Sequence, residues 1–191
     1  PTTFIRLTGC PLRCQYCDTA YAFHQGKTIP LENIIQKVQS YPTSWVTVTG
    51  GEPLAQLSCL TLLKKLCDLG YKVSLETSGA LDISNVDPRV SRVLDIKTPG
   101  SKESHRNLWS NLPLLQSQDQ IKFVICDYND YLWSKKCILQ PDFPQHCPIF
   151  FSASANQLSP SNLANWILSD HLQVRLQIQL HKVLWGDTPG R

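Results

Sequence analysis

"TFIRLTGCPLRCQYCDTAY", residues 3–21, carries the densest chemistry of this 191-residue chain. Its first five residues, Thr3 to Leu7, read as a β-strand that runs into a loop holding Gly9, Pro11 and Arg13. Cys10, Cys14 and Cys17 stand on that loop with the spacing C-x3-C-x2-C. Core thiols do not suit such a polar turn, and an odd set cannot close into disulfides. Thiolates spaced this way can wrap one face of an iron–sulfur cube, leaving one iron open to a further ligand. A zinc site completed by a remote residue such as His24 is the alternative on spacing alone.

Beyond this loop, strand-length apolar runs alternate with helical patterns. Strands are predicted at 44–51, which ends in a Gly pair, at 71–79, in 90–101 ahead of a Pro/Gly loop, at 119–127 and at 148–154. The run 173–182 alternates Val174, Leu176, Ile178 and Leu180 and reads as a further strand. Helices are predicted at 30–41, with Pro30 in the first turn, at 53–70, closed by Gly70, at 129–139, and at 159–172, with Ser159 as N-cap and Pro160 following. The alternation predicts βαβ units and a mostly parallel sheet of about six or seven strands. A partial, open barrel and a doubly wound sheet both fit. No linker or repeat divides residues 1–191, so one domain is expected.

Composition narrows the function. Hydrophobic residues make up 42% and charged residues 17%, which excludes a disordered chain. The net charge of +3 comes without a Lys/Arg run, so direct nucleic-acid binding is not expected. No apolar segment reaches membrane-spanning length, and there is no signal-peptide pattern. Eight cysteines in a chain large enough to fold unstapled suit a reducing cytoplasm, with Cys59, Cys67, Cys126, Cys137 and Cys147 as unclustered thiols. The chain has no Met and opens almost at once on a strand, so a preceding segment of the natural protein is expected.

Cys10, Gly50, Gly51, Glu52, Thr77, Ser78, Gly79, Lys97, Thr98 and Pro99 all follow the C-terminal ends of predicted strands. In parallel α/β folds ligands bind at that edge. Separate stretches therefore point at one site.

C-x3-C-x2-C after a first strand, with Tyr16 before the last cysteine and "TGGEP" at 49–53, resembles the radical S-adenosylmethionine superfamily. Within it, "FIRLTGCPLRCQYCDT", "LETSG" (75–79) and "QLHK" (179–182) resemble the 7-carboxy-7-deazaguanine synthase family, from residue 4 to about residue 185. The resemblance implies a partial, open parallel β/α barrel with a 4Fe-4S cluster on Cys10, Cys14 and Cys17 and S-adenosylmethionine on the fourth iron. It implies conversion of 6-carboxy-5,6,7,8-tetrahydropterin to 7-carboxy-7-deazaguanine with loss of ammonia, in queuosine and deazapurine biosynthesis. The radical forms on the cofactor, so no side chain is assigned as catalytic.

Matching motif positions puts S-adenosylmethionine against Tyr16, Cys17, Asp18, Gly50, Gly51, Glu52, Ser78, Lys97, Thr98 and Pro99. Thr19 would give its hydroxyl oxygen to Mg2+, a hard cation that takes oxygen ligands. Arg6, Thr49, Gln179 and His181 would reach the pterin, and Glu76 is a further candidate contact. Arg6 is an odd cation for a strand packed on both faces, and its planar fork suits a carboxylate. A homodimer and a reducing partner such as flavodoxin or ferredoxin are also implied. The family's Gln-Gly-Glu-Gly stretch is absent here, and "DIKTPGS" (95–101) departs from the Ser-Pro-Lys loop of some relatives. The rivals are a glycyl-radical-enzyme activase, which shares "DIK" (95–97) but commonly has His-Asn where this chain has Asp18-Thr19, and a non-catalytic zinc or cluster-binding module.

Overall fold

A computed structural model describes residues 1–24, 26–186 and 188. Seven strands lie side by side in chain order, all parallel: β1 (Thr3–Leu7), β2 (Trp45–Gly50), β3 (Lys72–Thr77), β4 (Ser91–Ile96), β5 (Gln120–Ile125), β6 (Ile149–Ala153) and β7 (Arg175–Gln177). β1 and β7 end the order and do not pair with each other, so the barrel is open. The α-helices are α1 (Leu31–Gln39), α2 (Ser58–Asp68), α3 (Tyr128–Ile138), α4 (Pro160–Ser169) and α5 (Leu180–Trp185).

Strict alternation gives each strand two unlike faces. Val46 and Val48, Val73 and Leu75, Leu94 and Ile96, and Ile121, Phe123 and Ile125 join one apolar core. Leu62, Leu63 and Leu66 of α2, Tyr131 of α3 and Leu163 of α4 pack into it. Burial of each such side chain contributes about 1.5–3 kcal/mol. The residues between them face the other way: Arg6, Thr49, Glu76, Asp95, Lys122 and Ser152 line a cavity. Parallel sheets ordinarily bury apolar side chains on both faces. A polar inner wall is what an interior ligand site requires, and it reaches from β1 to the segment after β7.

Three expectations change. The predicted helix over 53–70 is broken into a 3-10 turn, Pro53–Ala55, and α2. Between them Gln56 is extended (φ −107°, ψ 113°), and its Nε2 donates to the Thr8 carbonyl at 2.8 Å. The predicted strand over 173–182 keeps only Arg175–Gln177 before α5 begins. Leu176, Ile178 and Leu180 stay 41–58% exposed, so their alternation has no surface to pack against. Pro30 stands just before α1 as its cap rather than in its first turn. No described helix is long and apolar enough to cross a membrane.

Candidate active site

The cysteine loop is held from inside and from one flank. Leu12 is buried beneath it, and the Arg13 guanidinium donates to the Cys10 and Leu12 carbonyls at 2.7 Å each while lying 4.4 Å over the Phe23 ring. On the flank, Gln15 N–H donates to the Ser101 carbonyl at 3.2 Å, and Arg13 N–H donates to Glu103 Oε1 at 2.6 Å. Cys10, Cys14 and Cys17 are free, partly exposed, and line one cavity. Burial pushes up the Cys10 thiol, and pushes the Cys14 thiol up to about 11. His24 is exposed and outside the cavity lining. No three His, Cys, Asp or Glu side chains among the described residues converge on a single-ion site. Zinc needs four donors at about 2.0–2.3 Å from one ion, whereas a cubane's thiolates each bind a different iron and stand apart.

The Gly pair at the end of β2 packs against this loop. A Cβ on Gly50 would lie 1.9 Å from the Leu7 carbonyl oxygen, and one on Gly51 would lie 2.1 Å from the Gly9 carbonyl oxygen. The bare backbone instead forms Gly51 N–H to Leu7 O (2.9 Å) and Glu52 N–H to Gly9 O (2.8 Å). Both glycines also line the cavity.

Glu52, expected against the cofactor, is fully buried and outside the lining. Its Oε1 accepts from Leu54 N–H and Thr77 Oγ1, and its Oε2 from Ser78 N–H and Ser78 Oγ. It ties the end of β2 to the end of β3, and Ser78 lines the cavity beside this tie.

The loop after β4 has a matching tie, which sequence reasoning missed. Asp130, buried on α3, accepts from Gly100 N–H (2.7 Å), Thr98 Oγ1 (2.9 Å) and Cys126 N–H (3.1 Å). Thr98 is fully buried, and neither it nor Pro99 lines the cavity. Lys97 does, with its Nζ 3.1 Å from Asp95 Oδ2. Burial opposes the Lys97 charge, but Asp95, Tyr16 and Cys14 outweigh it and hold the ammonium above its usual range. Asn107 clamps the Lys97 backbone from both sides, accepting its N–H and donating to its carbonyl at 2.9 Å each. Tyr16 Oη and Asp95 Oδ1 are buried without a partner in this wall. Orphaned polar atoms at a cavity point to a polar ligand.

On the two strands that lead into the cysteine loop and the Gly pair, Arg6 of β1 sits beside Thr49 of β2, whose Oγ1 donates to Glu76 Oε2 of β3 at 3.2 Å. The Arg6 guanidinium lies 5.9 Å from the Tyr21 ring centre and has no ion pair among the described residues. Thr19 Oγ1 lies 3.8 Å from Cys17 Sγ and also faces the cavity. Asp18 Oδ2 accepts from Gln179 Nε2 at 2.8 Å and stands 3.6 Å from His181 Nε2. Gln179 and His181 therefore line the cavity from the start of α5 rather than from a strand. The space these residues enclose is about 880 Å³, toward the upper end of the usual range for small-molecule sites.

The Radical SAM superfamily model matches residues 4–94. A 7-carboxy-7-deazaguanine synthase of Chlorobaculum tepidum is 41% identical over 189 residues, which is 97% of this chain and 86% of that protein. One of Thermoplasma acidophilum is 33% identical over 192 residues, which is 100% of this chain and 90% of its own length. Among solved structures, Streptococcus suis SuiB bound to S-adenosylmethionine superposes with a TM-score of 0.64 at 13% identity. That likeness covers 93% of this chain and 50% of SuiB, and it speaks to the fold.

Proposed function

The chain belongs to the 7-carboxy-7-deazaguanine synthase family of radical S-adenosylmethionine enzymes, and from that membership we propose that it converts 6-carboxy-5,6,7,8-tetrahydropterin to 7-carboxy-7-deazaguanine with loss of ammonia. The activase and the non-catalytic module are set aside by that membership. The observation that carries the reading is one cavity that gathers unlike groups. Three thiols, a Gly pair, two orphaned polar atoms and an arginine with no ion pair among the described residues all line it.

The donor set fits the implied groups. Cys10, Cys14 and Cys17 would hold a 4Fe-4S cluster, which together with S-adenosylmethionine would supply the radical chemistry. Tyr16, Cys17, Asp18, Gly50, Gly51, Ser78 and Lys97 line the cavity and would meet the cofactor. Glu52 and Thr98, with Pro99 beside it, act behind it by fixing the loops. Arg6, Thr49, Gln179 and His181 face the pterin, with Arg6 offering its fork to the substrate carboxylate. Thr19 would supply one hydroxyl oxygen to Mg2+; one protein oxygen is too few alone, so such an ion would also need water or substrate oxygens. A single domain, a homodimer and a cytoplasmic setting complete the proposal.

Anaerobic reconstitution followed by reaction with the carboxylated tetrahydropterin tests it, with product mass spectrometry and with Mg2+ present or withheld. Deazaguanine formation stimulated by Mg2+ is expected. Cofactor cleavage without that product would overturn the substrate assignment, and an absent Mg2+ effect would remove the role of Thr19.

A further inference from the structure

The cysteine loop has two sides. One faces the cavity. The other turns Pro11, Arg13 and Gln15 to solvent. The segment after β4 is fastened along this outer side by the Gln15–Ser101 and Arg13–Glu103 hydrogen bonds. Lys102 lies between those fastenings, exposed, with a left-handed backbone (φ 67°). A 3-10 turn, Ser104–Arg106, follows at once and exposes His105 and Arg106.

The charge here is one-sided. Within 10–17 and 101–107 the sequence holds Arg13, Lys102, His105 and Arg106 against one carboxylate, Glu103. The Glu103 Oε1 is engaged by the Arg13 N–H. Among the described residues Lys102, His105 and Arg106 form no ion pair. The Arg13 N–H that holds Glu103 belongs to the residue next to Cys14, so the patch borders a cluster ligand.

We propose that this surface, Arg13 with Lys102, His105 and Arg106, is the docking face for an acidic one-electron carrier protein that reduces the cluster. The inference rests on the reading that Cys10, Cys14 and Cys17 hold that cluster. In the transfer the carrier loses one electron and the cluster gains one, with no bond made or broken. Electron tunnelling falls steeply with distance, so the carrier must meet the protein where the chain over the sulfurs is thinnest. Arg13 and Gln15, both exposed, flank Cys14, which is itself partly exposed. Complementary charge speeds such encounters and makes them salt-dependent. Nucleic-acid phosphates would meet the same charges, but 101–106 offers no Phe, Tyr or Trp for base stacking.

The test uses reconstituted holoenzyme and the Lys102→Glu/Arg106→Glu variant, neither residue lining the cavity. Cluster bleaching is followed by anaerobic stopped-flow with reduced flavodoxin, as the acidic carrier, and separately with dithionite. The variant is expected to be reduced about tenfold more slowly by flavodoxin, with a flatter salt dependence, and at an unchanged rate by dithionite. Equal flavodoxin rates in variant and wild type overturn the proposal. So does loss of tRNA retention with the flavodoxin rate intact, which would assign the patch to nucleic acid. If dithionite cannot bleach a cluster in the wild type, the cluster reading itself falls, and the docking face with it.

Discussion

Ser78 donates twice to one oxygen of Glu52: its Oγ at 2.5 Å and its backbone N–H at 2.7 Å both reach Oε2. With Leu54 N–H and Thr77 Oγ1 on the other oxygen, a fully buried carboxylate meets four donors. Glu52→Gln replaces one accepting oxygen with an NH2 group that faces donors. The expected loss is about 2–4 kcal/mol of folding stability, read as a lower urea midpoint at constant slope. A variant as stable as the parent would mean that the four donors find other partners.

Gly100 has the corresponding place on the other side of the cavity. A Cβ there would lie 2.3 Å from Asp130 Oδ2 and 3.0 Å from Cys126 Cβ. Gly100→Ala must therefore displace the loop that carries Lys97, at a cost of about 1–3 kcal/mol. Calorimetric titration of the reconstituted enzyme with S-adenosylmethionine should show weaker binding. Unchanged affinity would separate that loop from the cofactor.

α5 buries none of its residues, and Gln179 ties its start to Asp18 and to the Ala155 N–H. Gln179→Ala should speed hydrogen exchange across 180–185 while shifting Tm by less than about 2 °C, because low-stability segments open independently of the core. A large fall in Tm would show that α5 is part of the core's cooperative unit.

Hydrogen bonds from the Arg89 side chain and backbone hold the Asp87 carboxyl down at about 2, from an ordinary 3.8. A depressed carboxyl contributes stability that is present above its unfolded value and is lost as the pH falls through its folded one. Wild type and Asp87→Asn should therefore differ in urea midpoint at pH 6 and converge near pH 2. A difference that persists at the acid end would assign the effect to packing.

What the sequence shows and hides follows from distance along the chain. The cysteine loop, the Gly pair and the alternation of the first six strands are local, and these are found where predicted. Glu52 reads as a cofactor contact because its motif is local; its partner Ser78 stands 26 residues further on. Asp130 reaches Gly100 across 30 residues and Gln56 reaches Thr8 across 48, and no periodicity signals either bond. Over 176–184, Leu176, Ile178 and Leu180 fit a strand while Leu180 and Leu184 fit a helix turn, so pattern alone cannot choose. Asp95 and Lys122 pair across β4 and β5 on the inner wall, and they gain meaning only once that wall is known to be hollow.

The unpaired edges of β1 and β7 separate traffic from architecture. A closed barrel must breathe through its strand ladders to admit a bulky guest. Here a clasp of side chains, Gln179 and His181 on Asp18, spans the gap. Small molecules can come and go with each cycle by undoing the clasp while every backbone ladder stays zipped, so turnover need not wear on the fold.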